Sequence, residues 1–254
     1  MEKITLWAST FFYLFSCCST LLALRAKQLR PGRFTFVAIL LGVLCQSWFL
    51  VLRGHEEHAC PIRTLPEMLL FLSWSMGWFY LLIGSTYRVS LMGAFAAPLI
   101  LIFQSLGFFF LTTAISVQHV LNPWIEAHAA LSLVAFGSLG LASVSALMFL
   151  FQEWQLKSQA PSRIFHFLPP MRLLETTSVR LLWLGLGLLT ISFAAGVLSG
   201  ISISGMKFWI SFLLWGSYGL LGMAQQGRRL SVHRFAQGIV LIFLFALGIL
   251  FWLS

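Results

Sequence analysis

The stretch NPWIEAHAALSLVAFG, residues 122–137, decides how the chain is read. Asn122 is a favourable N-cap and Pro123 suits the first helical position, so a helix is predicted to begin there. Beyond Trp124, Glu126 and His128 the sequence stays apolar to about residue 151. That run exceeds the ~20 residues needed to cross the hydrocarbon of a bilayer as a helix. A membrane helix carrying an imidazole in its opening turns is therefore the feature to explain.

The rest of the chain supports the same class. Of 254 residues, 59% are hydrophobic and only 9% are charged, against about 25% charged in a soluble domain. Asp is absent, while the 25 Phe and ten Trp suit lipid-facing and headgroup-level surfaces. Eight apolar segments are long enough to span, at about 4–24, 34–52, 67–84, 89–112, 123–151, 179–200, 208–225 and 235–253. Backbone polar groups must be satisfied within lipid, and no β-barrel alternation is visible. The expected fold is an all-α integral membrane bundle of about eight transmembrane helices, forming a single domain over 1–254. The first segment lacks a basic n-region and an A-x-A site, which points to a retained span.

The net charge of +9 would suggest nucleic acid in a soluble protein, but here the cations fall in short loops. One side would carry Arg25, Lys27, Arg30, Arg33, Arg88, Lys157, Arg163, Arg172, Arg180, Arg228, Arg229 and Arg234; the other only Lys3, Arg53, Arg63 and Lys207. Twelve against four places the first set in the cytoplasm and both termini on the outer, periplasmic side of a bacterial inner membrane. The expected surroundings are a lipid bilayer, with no nucleic acid. Cys17, Cys18, Cys45 and Cys60 have neither zinc nor disulfide spacing.

His55, His58, His119 and His128 fall on or near the outer side, and His166 and His233 in cytoplasmic loops. An imidazole among apolar and aromatic groups can ligate haem iron; it can also be a solvated residue at a helix mouth. Trp124 and His128 are four apart and share a face, which continues through the small residues Ser132 and Ala135. His55 and His58, in the outer loop 53–66, suit either a divalent metal or a hydrated loop. His166 and His233 read as loop residues beside basic partners that face anionic headgroups. Glu67 and Glu126 sit at helix mouths, where negative charge favours the N-terminal dipole. No phosphate loop, Ser/His/Asp set or intramembrane carboxylate relay is present, so catalysis and ion pumping are not expected.

Several stretches resemble the cytochrome c assembly family of membrane proteins, the group that includes CcsA, ResC, CcmC and HemX. CPIRTLPEMLLFLSW (60–74) is similar to the family's PxSNLYESLLFLSW, with Glu67 in the acidic place. LMGAFAAPLILI (91–102) resembles LGAxxxPxxL. WIEAHAALSLVAFGSLGLASVSALMFLFQEWQLK (124–157) is similar to a family segment with the same Trp-to-His spacing, and LPPMRLLETTSVRLLWLGLGLLTISFAAG (168–196) matches a further one. The region SGISISGMKFWISFLLW (199–215) lacks the tryptophan-rich loop of haem-handling members, so the chain is nearest the short HemX-like and YpjD-like branch. The YLHxR histidine of the seventh helix is also missing, with Met223 near its place.

The resemblance implies that His128 corresponds to the first external histidine, an axial haem ligand in haem-handling members. Two functions then stand side by side. In one, the protein holds haem near its outer face and assists cytochrome c biogenesis. His128 ligates the iron, Trp124, Trp48, Trp74 and Trp78 pack on the porphyrin, and Arg53, Arg63 or Lys207 pair with its propionates. A second ligand would come from His119, His55, His58, Met206 or a partner, and Glu67 completes the candidate set. In the other, a HemX-like accessory or regulatory protein of tetrapyrrole metabolism works with cytochrome c maturation or haem-synthesis proteins without holding haem stably. Interface anchoring is the alternative role for the tryptophans.

Overall fold

The computed structural model describes residues 2–25, 32–87, 92–111, 122–159, 168–200 and 205–253. Among the described residues every regular element is an α-helix: α1 Glu2–Arg25, α2 Gly32–Glu57, α3 Leu65–Tyr87, α4 Met92–Leu111, α5 Pro123–Lys157, α6 Met171–Leu198, α7 Met206–Gln226 and α8 Val232–Leu253. Seven of them are long and apolar enough to cross a membrane. The remaining one, α7, is of comparable length, but its apolar residues are diluted by Ser, Gly, Trp and Tyr and by Gln225 and Gln226. The helices cluster into two compact units, α1–α4 with residues near 168–169, and α5–α8.

In the first unit α1 packs on α2 and α4, and α3 on the same two helices, giving a ring of four. Without a hydrophobic drive between helices in lipid, close backbone approach and interhelical hydrogen bonds hold such a bundle. Both are present. A Cβ at Gly42 would lie 2.6 Å from the Tyr13 ring, and one at Gly107 2.8 Å from the main-chain oxygen of Pro66. At the centre, the Tyr13 hydroxyl donates to Gln46 Oε1 (2.6 Å), and the Gln46 amide donates toward Gln104 Oε1 (2.7 Å) and the Leu70 carbonyl (2.8 Å). Gln104 Nε2 in turn reaches Ser9 Oγ (3.0 Å) and Thr10 Oγ1 (3.1 Å). Gln46 and Gln104 are wholly buried, and their network links all four helices.

The second unit is arranged around α5, which packs on α6 and α8, while α7 packs on α6 and α8. Every residue from Gly137 to Ala146 is buried, and most of them are Gly, Ala or Ser. Small side chains there let α6 come close: a Cβ at Gly185 would meet Leu139 at 2.7 Å and the Ala135 carbonyl at 3.3 Å. Ser138 Oγ donates to the Leu181 carbonyl at 2.8 Å across the same contact. At the C-terminal end of α5, Glu153 accepts from His233 of α8 (2.6 Å) and from Lys157 (2.7 Å).

The outward surfaces are apolar, with Ile4, Phe11, Leu22, Phe109, Leu213, Leu241 and Phe245 exposed, while glutamines and serines are buried. This is the reverse of a water-soluble bundle and matches an apolar solvent.

At several ends the helices extend beyond the apolar segments. α2 runs to Glu57, so Arg53 and His55 are helical and the expected loop 53–66 contracts to the residues between Glu57 and Leu65. α5 continues to Lys157, and α6 begins at Met171, directly after Pro169 and Pro170, well before residue 179. Hydropathy marks where a chain meets hydrocarbon, whereas the backbone ladder continues into the polar interface. The two prolines start α6, since a proline at a helix N-terminus gives up no needed N–H.

Candidate cofactor site

α5 starts as expected. The Trp124 N–H donates to Asn122 Oδ1 at 3.1 Å, and Pro123 opens the helix. That start sets His128 in the second turn, on the face turned toward α6. There His128 Nδ1 lies 2.7 Å from the main-chain oxygen of Ser192 and 3.0 Å from its hydroxyl. The Ser192 hydroxyl also donates to the His128 main-chain oxygen at 2.8 Å and lies 2.7 Å from Ser132 Oγ. One turn further along α6, Gly196 has no side chain, and a Cβ there would sit 3.0 Å from Nδ1.

Beside this cluster a cavity of about 180 Å³ opens within the second unit. His128, Ser132 and Phe136 of α5 line it together with Ser192 and Phe193 of α6, and α7 and α8 close it with apolar residues such as Leu214 and Ile249. Phe193 lies 6.5 Å from the imidazole and connects it to Phe208 (6.1 Å) and Trp215 (6.4 Å) of α7. The lining is thus apolar and aromatic with three serine hydroxyls, counting Ser211, and one imidazole. Such a chamber suits a flat apolar guest with one point able to bind a nitrogen ligand. Its volume is below the roughly 300–1,000 Å³ of common ligand pockets, so a ring the size of a tetrapyrrole would fit in it only in part.

The other expected site residues are distributed as follows. Trp124 is half exposed and does not line the cavity. His119 lies outside the described residues. Arg53, Arg63 and Glu67 belong to the first unit. There Arg53 is held by three carboxylates, Glu57 at 2.7 Å and Glu2 and Glu67 at 3.2 Å each. Glu67 is almost wholly buried, and its second oxygen accepts from the backbone N–H groups of Arg63 (3.0 Å) and Thr64 (3.2 Å) at the start of α3. That is the acidic half of a capping box, with Glu67 reaching back over its own helix N-terminus to the Thr64 N–H. Trp48 is exposed, and Trp74 donates to Ser47 Oγ at 2.8 Å within the first unit. Among the described residues no group of three or more His, Cys, Asp or Glu is placed to hold a metal ion, His55 and His58 included.

Ser192, Phe193 and Gly196 were not singled out in the sequence. The available signal was the pair Ser192 and Gly196, small residues four apart on one helix face and therefore able to admit a neighbour closely. Gln46 and Gln104 were likewise passed over, although an amide in mid-span needs a partner.

A family model described as Cytochrome C assembly protein matches residues 62–254, from the turn before α3 to the end of the chain. The chain belongs to that family. Similar relatives include Protein HemX of Brevibacillus brevis, 26% identical over 181 residues, which is 70% of this chain and 66% of that protein. The cytochrome c biogenesis protein CcsA of Chlamydomonas reinhardtii is 26% identical over 187 residues, 70% of this chain and 50% of its own length. The CcsA of Mesostigma viride is 26% identical over 120 residues, 44% of this chain and 39% of its own. The alignment therefore spans two thirds or less of each of these relatives. The expectation of a multi-pass membrane member of this family, on its HemX-like side, stands on these matches and on the helices above.

Proposed function

We propose that this protein assists cytochrome c biogenesis by holding haem, with His128 as a ligand of the iron. The observation that carries the reading is the placement of His128: it lines an apolar, aromatic cavity inside a helical unit, in a segment that keeps the family's Trp-to-His spacing. When bound, haem would supply an iron atom able to take a nitrogen ligand and a large apolar ring. Phe136 and Phe193 offer the ring apolar contact, and the imidazole offers one nitrogen. The described cavity wall contains no cation, so the propionates stay outside it. On the charge distribution, this end of the unit lies at the outer face of a bacterial inner membrane.

The test is spectral. Purified protein titrated with haem should give a Soret band shifted from that of free haem, and His128→Ala should lose the shift. Identical bands from the two proteins would remove His128 as a ligand.

The small cavity and the alignment with HemX favour one second reading: an accessory or regulatory membrane protein of tetrapyrrole metabolism that does not hold haem stably. Affinity isolation in mild detergent separates the two. A haem-synthesis enzyme recovered with no chromophore supports the accessory role, and a chromophore that depends on His128 supports haem holding.

A further inference from the structure

We infer that Ser192 and Gly196 of α6 are positioning residues that lock His128 into one tautomer, with the proton on Nδ1 and Nε2 bare. The inference deepens the haem reading, which gives the bare nitrogen its use, but the hydrogen bonds that support it involve no haem.

The proton assignment is forced step by step. A carbonyl oxygen only accepts, so the Ser192 carbonyl, 2.7 Å from Nδ1, requires a proton on that nitrogen. A bare Nδ1 would set two lone pairs against each other at this distance. The Ser192 hydroxyl has one proton, and the His128 main-chain oxygen at 2.8 Å takes it. Ser132 Oγ, 2.7 Å from Ser192 Oγ, then donates to it. Each donor has an acceptor, and the neutral imidazole is left with its lone pair on Nε2 alone. The bond from Nδ1–H to a backbone carbonyl is the arrangement that orients an imidazole for metal binding through its other nitrogen.

Gly196 makes the contact geometrically available. A methyl there would lie 3.0 Å from Nδ1 and 3.3 Å from Cε1, so the ring would have to shift by a few tenths of an ångström, at the expense of its bond to Ser192.

The experiment uses full-length protein labelled with ¹⁵N-histidine in lipid nanodiscs without haem, with His128→Gln assigning the His128 signals. In its neutral form the wild-type ring should show one tautomer, Nδ1 protonated and Nε2 not. An Nε2-protonated ring, or a mixture of tautomers, would overturn the inference, and this measurement needs no variant to fold. Gly196→Ala should split the His128 signals into two tautomers and weaken haem binding about tenfold, as expected for loss of a bond that orients a ligand. Unchanged signals in that variant would remove Gly196 from the mechanism. Ser192→Gly, which keeps the carbonyl, should retain the Nδ1 proton, and its loss would contradict the role assigned to the carbonyl. A single tautomer in a wild type that binds no haem would remove the haem reading and leave the lock standing.

Discussion

Asn122 and Pro123 start α5, and six residues into the helix His128 meets Ser192. Helix starts are written locally, in cap chemistry, so the position of the imidazole was legible in the sequence. Its partner lies 64 residues away on α6, where the Ser192 and Gly196 spacing marks a face that admits a neighbour but does not say which one. Arg53 shows the opposite case. Its sequence suggested a propionate partner, but it is engaged by Glu2, Glu57 and Glu67. Arg53→Ala would leave the buried Glu67 without its cation, and removal of one member of such a pair costs about 1–3 kcal/mol. The expected outcome is a lower unfolding midpoint in detergent with an unchanged haem spectrum. A weaker haem spectrum at unchanged stability would return Arg53 to the haem site.

The helices themselves were legible because about 20 apolar residues in a row admit one backbone solution in lipid. Their ends were not, since α2, α5 and α6 extend through polar residues that hydropathy does not count. Nor was the internal bonding of the first unit, where Gln46 and Gln104 join four helices through side chains distant in sequence. Gln104→Leu should destabilise the protein by about 1 kcal/mol, near the range found for interhelical hydrogen bonds in membranes. Because the two amides share partners, Gln46→Leu combined with Gln104→Leu should cost less than the sum of the single changes. Thermal unfolding of the three variants in one detergent checks this, and strict additivity would show that the amides act independently.

For the molecule as a whole, the charge asymmetry between loops predicts that both termini face outward and the α5–α6 connection faces the cytoplasm. With the four native cysteines replaced by serine, Lys3→Cys should react with a membrane-impermeant maleimide on intact cells and Lys157→Cys should react only after lysis. The reverse pattern would invert the protein and place the His128 cavity at the cytoplasmic face. The reading rests on His128 supplying a nitrogen to haem from the wall of an apolar, partly open cavity. It is tested most directly by the absorption spectrum of haem-loaded His128→Gly with and without added imidazole. The expected result is a lost Soret shift that imidazole restores. A variant whose spectrum equals that of the wild type before imidazole is added would contradict it.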